Sequence, residues 1–327
     1  MQRIFAVMAK IKNYLSLIRF SHTIFAMPFA FVGFFIGLNK FSSFAAFTII
    51  PGWHTSVLSA AATGSLVEQL YAGANPWFVI SKYFLLVILC MVFARSAAMA
   101  FNRWLDAKYD AANPRTAVRE IPAGIIKPQN AMLFIIISCL LFIITTFFIN
   151  HLCFYLSPLA LFVVLFYSYT KRFTALCHLV LGLGLSLAPI GAYIAVTGVF
   201  NMLPLLFSFA VLFWVSGFDI IYALQDEEFD RQQQLHSIPA ALGKTKALRV
   251  SQLLHLLAAI SIIAAGLYGQ FGVWYWCGAA VFAGLLVYQH SLVKPADLSK
   301  VNLAFFTLNG IASIVFAAFV ILDSFLY

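Results

Sequence analysis

Asn102-Arg-Trp-Leu-Asp106-Ala-Lys-Tyr-Asp110 and the stretch from Asp219 through Asp226 to Asp230 hold most of the chemistry of an otherwise apolar chain. Of its 11 acidic residues, eight lie between Asp106 and Glu120 or between Asp219 and Asp230. Asn102, Asp106 and Asp110 are four apart, as are Tyr222, Asp226 and Asp230, so the spacing predicts that each set lines one face of a helix. Carboxylates stacked this closely repel one another unless a cation sits between them. Hard oxygen ligands at such spacing suit Mg²⁺, which is held by a few carboxylates together with substrate phosphates. Asp106, Asp110, Asp226 and Asp230 are therefore the candidate metal ligands and catalytic residues. Two facing stripes of this kind suggest a site for a lipid diphosphate.

A diphosphate also needs basic partners for the oxygens that metal leaves uncovered. Arg115 and Arg119 follow the first block, and Lys171 and Arg172 end an apolar run. Arg95 lies inside an apolar run, seven residues before Asn102 and so on the same helical face. A buried arginine needs a counter-ion, either a motif carboxylate or the acidic group of an aromatic acceptor. Asp219 also lies deep, where an unpaired carboxylate is costly, and is expected to have a cationic or metal partner. His22, His178 and His236 fall on the same side as the blocks and can line a pocket, although a lone histidine there is more often structural. His151, His255 and His290 read as interfacial. Cys90, Cys139, Cys153, Cys177 and Cys277 form no metal-type pair and read as small hydrophobes.

The elements that position these residues are membrane helices. The chain is 63% hydrophobic and 9% charged, with a mean hydropathy of +0.95, whereas soluble domains carry about 25% charged residues. The fold class is all-α and polytopic, a single membrane domain over 1–327. Runs long enough to span fall at about 22–38, 80–101, 131–149, 152–170, 176–197, 203–222, 248–269, 272–290 and 302–325. Alternating these nine spans puts 17 of the 20 Lys and Arg residues on one side, leaving Lys40 and Lys82 near the other and Arg95 within a span. That bias predicts a cytoplasmic N-terminus, an outer C-terminus and both acidic blocks on the cytoplasmic side, as in a bacterial inner-membrane protein. It also explains the net charge of +9 without a nucleic-acid partner.

Residues 1–21 mix basic and apolar positions and read as an amphipathic segment on the inner surface, not as a signal peptide. The stretch 39–79 reads as a long outer loop with Trp53, Tyr71 and Trp77 as interfacial anchors. A weak echo links the two blocks: Arg119-Glu-Ile-Pro-Ala-Gly124 trails the first, and Ser237-Ile-Pro-Ala-Ala-Leu-Gly243 trails the second.

Asn102-x-x-x-Asp106-x-x-x-Asp110 followed by Arg115-Thr116-x-x-Arg119-x-x-Pro122-x-Gly124 resembles the first signature of the UbiA superfamily of intramembrane prenyltransferases. Asp219-x-x-Tyr222-Ala223-x-x-Asp226-x-x-x-Asp230 with Ser237 and Gly243 resembles the second, and Arg95 and Tyr167-Ser-Tyr-Thr-Lys171-Arg172 match the flanking pattern. The resemblance implies nine helices around a central cavity and Mg²⁺-dependent alkylation of an aromatic acid by a polyprenyl diphosphate, among membrane lipid. It implies Asp106, Asp110, Asp226 and Asp230 as metal ligands, with Arg95, Asn102, Arg115, Arg119, Lys171, Asp219 and Tyr222 binding substrates. Tyr222-Ala223 is similar to the 4-hydroxybenzoate polyprenyltransferase branch of ubiquinone synthesis. The alternative acceptor is another aromatic quinone precursor, such as one of a futalosine-type menaquinone route. Arg103 departs from the pattern, standing where many members carry a second acid, and Glu227-Glu228 add charge to the second block. An ion-coupled transporter would place its acids near the bilayer midplane on broken helices, and a CDP-alcohol phosphotransferase would show an Asp-Gly-x-x-Ala-Arg run that is absent.

The orientation is testable with single introduced cysteines. Impermeant thiol reagent added outside should label 39–79 and the C-terminus but not 106–127 or 226–246. Outside labelling of either acidic segment would overturn this orientation.

Overall fold

The computed structural model describes residues 12–18, 26–44 and 64–326; Trp53 and His22 lie outside that range, as does most of the N-terminal segment. Its helices are α1 (Met27–Phe44), α2 (Leu66–Tyr71), α3 (Pro76–Leu105), α4 (Ala107–Ala112), α5 (Pro128–Phe147), α6 (His151–Thr170), α7 (Cys177–Thr197), α8 (Met202–Ala223), α9 (Glu227–Gln232), α10 (Ile238–Tyr268), α11 (Val273–Leu292) and α12 (Asn309–Leu326). A π-helical turn, Leu303–Leu308, leads into α12. Eight of the expected spans and the described part of the first, from residue 27, fall on helical segments, but the count of nine is not reproduced by length and apolarity. Seven helices among the described residues are long and apolar enough to cross a membrane; the apolar part of α1, Met27–Asn39, is shorter, and α11 is not among the seven.

Caps explain where the expected boundaries shift. α3 begins at Pro76 instead of 80 because Asn75 accepts hydrogen bonds from the Trp77 and Phe78 amides and Pro76 fills the first position. At 30 residues it is about 45 Å long, enough to cross the bilayer and carry Asn102 past it. α10 begins at Ile238 instead of 248, capped by Ser237, and bends at Gly243. Within 39–79, α1 continues to Phe44 and α2 occupies Leu66–Tyr71.

α7 and α8 form the buried centre, with α8 packed between α7 and α10 and α1 against α7. Trp214 of α8 is fully buried among Phe29, Phe218 and Phe282, with its indole N–H on Asn309 Oδ1 at 3.0 Å. α5 and α6 instead turn Leu133, Leu140, Tyr155 and Phe162 outward, the pattern of helices that face lipid. The short helical segment at residues 12–17 packs in part against the bundle. Leu17 and Ile18 are buried, Leu17 packs with Ala100, Ile121 and Ile135, and Tyr14 pairs with Phe134. Leu15 of the same segment stays exposed.

α7 and α8 approach to backbone contact at Gly182, where an added Cβ would lie 2.4 Å from the Leu212 carbonyl oxygen and 2.3 Å from Ser216 Oγ. Small residues permit such approaches between membrane helices. Gly182→Val should therefore destabilise the protein by about 1–3 kcal/mol, read as a lower thermal midpoint in detergent; an unchanged midpoint would refute the tight α7–α8 contact.

Candidate active site

Both acidic blocks break their helices at the same point. α3 ends at Leu105, and Asp106 (φ −90°, ψ 5°) caps it while starting the six-residue α4 that carries Asp110. α8 ends at Ala223, a 3₁₀ turn covers Leu224–Asp226, and Asp226 (φ −104°, ψ 5°) starts the six-residue α9 that carries Asp230. The single continuous helix face expected for each block is thus corrected. A long helix and a short one meet at an aspartate in the bridge region of backbone space. The trailing glycines match too: Gly124 and Gly243 have φ of 72° and 75°, a conformation that side chains with a Cβ avoid. The faint sequence echo is a repeated backbone path.

Asp106, Asp110, Asp226, Asp230, Arg95, Asn102, Arg115, Arg119, Lys171, Asp219 and Tyr222 all line one cavity of about 280 Å³. Each aspartate of the two sets meets its own cation. Arg172 Nη2 lies 3.0 Å from Asp106 Oδ1, and Arg119 Nη1 lies 2.8 and 2.9 Å from the two Asp110 oxygens. Arg115 reaches from the first block to the second, where its Nε and Nη2 grip Asp226 at 3.2 and 2.5 Å and its Nη1 donates to Tyr222 Oη at 3.1 Å. Asn113 Nδ2 adds a 3.4 Å contact to Asp226. Lys171 Nζ is 2.6 Å from Asp230 Oδ1, and Asp230 is fully buried.

The neighbouring residues Lys171 and Arg172 therefore diverge, one to each wall. Burial works against the Lys171 charge, but Asp230 outweighs it and holds the ammonium pKa above its ordinary value. Arg115 is held up in the same way by Asp226. For Asp106, burial wins: despite Arg172, its carboxyl is pushed up from 3.8 to about 6, with Asp110 adding to the rise.

Arg172 and His178 carry more of the site than their sequence positions signalled. The Arg172 guanidinium also lies over Tyr109 and Tyr169. His178 supplies the partner expected for Asp219, at 2.6 Å. Phe305, from the π-helical turn, packs at a tilt against Tyr222 with centroids 4.2 Å apart, and no sequence motif marks it. Arg103 turns out of the metal-facing set to bind Glu120, which also accepts from Ser16. His255 and His290 are not interfacial as expected: they hydrogen-bond each other at 2.9 Å, and His255 is buried.

The donor set suits a hard cation. The four aspartates offer only oxygen, and the fully buried Asp230 meets Lys171. Among the described residues no three acids, histidines or cysteines converge on one point, so phosphate oxygens of a substrate must complete any coordination shell.

Residues 57–311 match the UbiA prenyltransferase family model. The chain belongs to the UbiA prenyltransferase family. It is thus an integral membrane prenyltransferase. It is 32% identical over 235 residues to a 4-hydroxybenzoate octaprenyltransferase of Tolumonas auensis, covering 71% of this chain and 82% of that one. It is 31% identical over 237 residues to the enzyme of the same name from Nitrosomonas europaea, covering 72% and 80%. The fold matches the apo structure of a UbiA homologue from Aeropyrum pernix K1 with a TM-score of 0.74 and 29% identity, over 92% of this chain and 98% of that one. A UbiA homologue from Archaeoglobus fulgidus bound to DMAPP and Mg²⁺ shares the fold at a TM-score of 0.65 and 20% identity, over 96% and 100%.

The raised Asp106 pKa has a consequence for stability. The folded state binds this proton more tightly than the unfolded chain, so Asp106 favours the fold below about pH 4 and loses that contribution as pH rises through about 6. Asp106→Asn mimics the protonated form. Without divalent metal, it should melt above wild type at pH 8, by at most about 3 kcal/mol, and the gap should close towards pH 4. A lower melting point at pH 8 would overturn this reading.

Proposed function

We propose that the protein transfers a polyprenyl group from its diphosphate to an aromatic acid, with 4-hydroxybenzoate as the first candidate, in a Mg²⁺-dependent reaction. The observation that carries the acidic acceptor is Arg95. It lies at the junction between the polar cavity and a second, apolar cavity of about 400 Å³, and it lines both. Its Nε is buried without a hydrogen-bond partner, and no ion pair to it occurs among the described residues. A buried cation in this position calls for an anion brought by a substrate. The relatives named 4-hydroxybenzoate octaprenyltransferase support that acceptor.

The apolar cavity runs between α3, α5, α6 and α7, is open on one side, and includes the exposed Leu159 and Leu183. A prenyl tail longer than the cavity can therefore continue into lipid. Its diphosphate would lie at the acidic end, and its reactive carbon at the junction beside Arg95.

Asp106, Asp110, Asp226 and Asp230 would hold the divalent cation, whose charge lets an anionic diphosphate approach them. Arg115, Arg119, Lys171 and Arg172 would turn from the aspartates to the phosphate oxygens and stabilise the negative charge that grows on the leaving group. Asn102, which donates to Asp106 at 3.2 Å, and Arg95 would orient the acceptor. Asp219, the cavity carboxylate of the second block that faces no arginine or lysine, would take the proton the acceptor loses. The apolar walls keep water from the allylic cation.

Purified protein supplied with Mg²⁺, geranyl diphosphate and a panel of aromatic acids should yield a prenylated acid by mass, and none with EDTA. Turnover in metal-free buffer would sink the mechanism. Arg95→Ala should raise the acceptor KM by roughly 10- to 150-fold, the worth of a charge-assisted hydrogen bond, with the donor KM unchanged. The reverse pattern would assign Arg95 to the diphosphate.

A further inference from the structure

Four aspartates of the cavity are covered by arginine or lysine, whereas Asp219 is paired with His178. The imidazole is pinned on every side. Its Nδ1 lies 2.6 Å from Asp219 Oδ2, and its Nε2 accepts the Ile238 amide N–H at 3.3 Å. A ring nitrogen that accepts from an amide carries no proton, so Nδ1 bears the ring proton and donates it to Asp219. The His178 carbonyl accepts from Ser216 Oγ at 3.1 Å. α7 thus ties α8 to the start of α10, the two parts of the second signature.

Exposure divides the roles within the pair. The His178 side chain is 4% exposed and Asp219 is 22% exposed, so the imidazole stands behind the carboxylate and the carboxylate faces the cavity. This is the arrangement in which a buried partner fixes the orientation of a proton-transfer group.

We infer that His178 is a positioning residue that aims Asp219 at the proton released when the acceptor ring is alkylated. The inference rests on the proposed aromatic acceptor. In that reaction the bond between prenyl carbon and diphosphate oxygen breaks, and its electron pair leaves with the diphosphate. A ring carbon supplies the pair for the new carbon–carbon bond. The C–H bond at that carbon then breaks, its electrons restore aromaticity, and its proton passes to the Asp219 oxygen that His178 does not hold.

The test uses geranyl diphosphate, Mg²⁺ and 4-hydroxybenzoate, either unlabelled or deuterated at the two carbons beside the hydroxyl-bearing one. Wild type should show no isotope effect on kcat, because loss of the proton follows the slow alkylation. His178→Leu leaves Asp219 unaimed. Its kcat should fall about 100-fold, the scale of a misplaced catalytic group, with the KM for geranyl diphosphate unchanged and a primary deuterium isotope effect now visible. His178→Asn returns an N–H near the position of Nδ1 and should restore most of kcat and abolish the isotope effect. A purely structural pin would lower the amount of folded enzyme without creating an isotope effect. If His178→Leu binds geranyl diphosphate and melts like wild type yet shows no isotope effect, the inference is overturned. If it fails to fold, Asp219→Asn decides: an isotope effect there supports the pair, and its absence refutes it. Wild type that prenylates no 4-hydroxybenzoate refutes the acceptor reading itself, a failure visible before any variant is made.

Discussion

Four carboxylates in one membrane cavity cannot stay charged beside one another without compensation, and much of the site follows from how this chain supplies it. In surroundings of low dielectric, like charges interact far more strongly than in water. Here four permanent cations answer four aspartates, and they come from two places: Arg115 and Arg119 from the loop after α4, Lys171 and Arg172 from the end of α6. The pairing crosses the cavity. Arg115 belongs to the first block but grips Asp226 of the second, and the adjacent Lys171 and Arg172 separate to Asp230 and Asp106. Removing any one cation would leave a poorly solvated carboxylate unpaired, which costs more than the pair itself contributes.

On the proposed reading, the same pairs make the site responsive to its substrates. Metal can take over the aspartates only if the cations leave them, and the cations leave readily only if phosphate oxygens are there to receive them. A diphosphate and its metal bring both replacements together. Either one alone would leave one sign of charge stranded, which favours joint binding.

The repeated geometry of the two blocks was half legible in the sequence. Spacing by four identified which residues gather, and all eleven chosen from the chain line one cavity. It could not reveal the break at Asp106 and Asp226, because a residue in the bridge region between a long helix and a short one keeps nearly the same periodicity as an unbroken helix. The partners of single charges were not legible either. Arg172 offers itself to a phosphate in the sequence, but its pairing with Asp106 shows only where α6 ends, and His178 reads as a structural histidine until α7, α8 and α10 meet around it. Phe305 depends on the π-helical turn, and nothing local distinguishes it from the chain's other 34 phenylalanines. These contacts join residues far apart in sequence, so no periodicity records them. The helices themselves were legible because bilayer thickness fixes their length, while their starts were set by single caps such as Asn75 and Ser237.

Arg95 ties the two cavities into one site. The polar and apolar cavities share Arg95, Met99, Tyr167, Leu181 and Leu185, so a molecule with an anionic head at the acidic end and an isoprenoid tail among α5, α6 and α7 must pass this neck. The bond between head and tail then lies where the walls change from charged to apolar. Toward the tail, the walls are mostly apolar, with the Cys90 and Cys153 thiols among them; toward the head, the four aspartates of the two blocks are each paired with an arginine or a lysine. Among the described residues, Arg95 is the one charged side chain that lines both cavities, and its charge is costly to keep inside a membrane bundle unless an anion meets it there. An acceptor that carries its own carboxylate meets that cost and brings its ring to the bond that breaks.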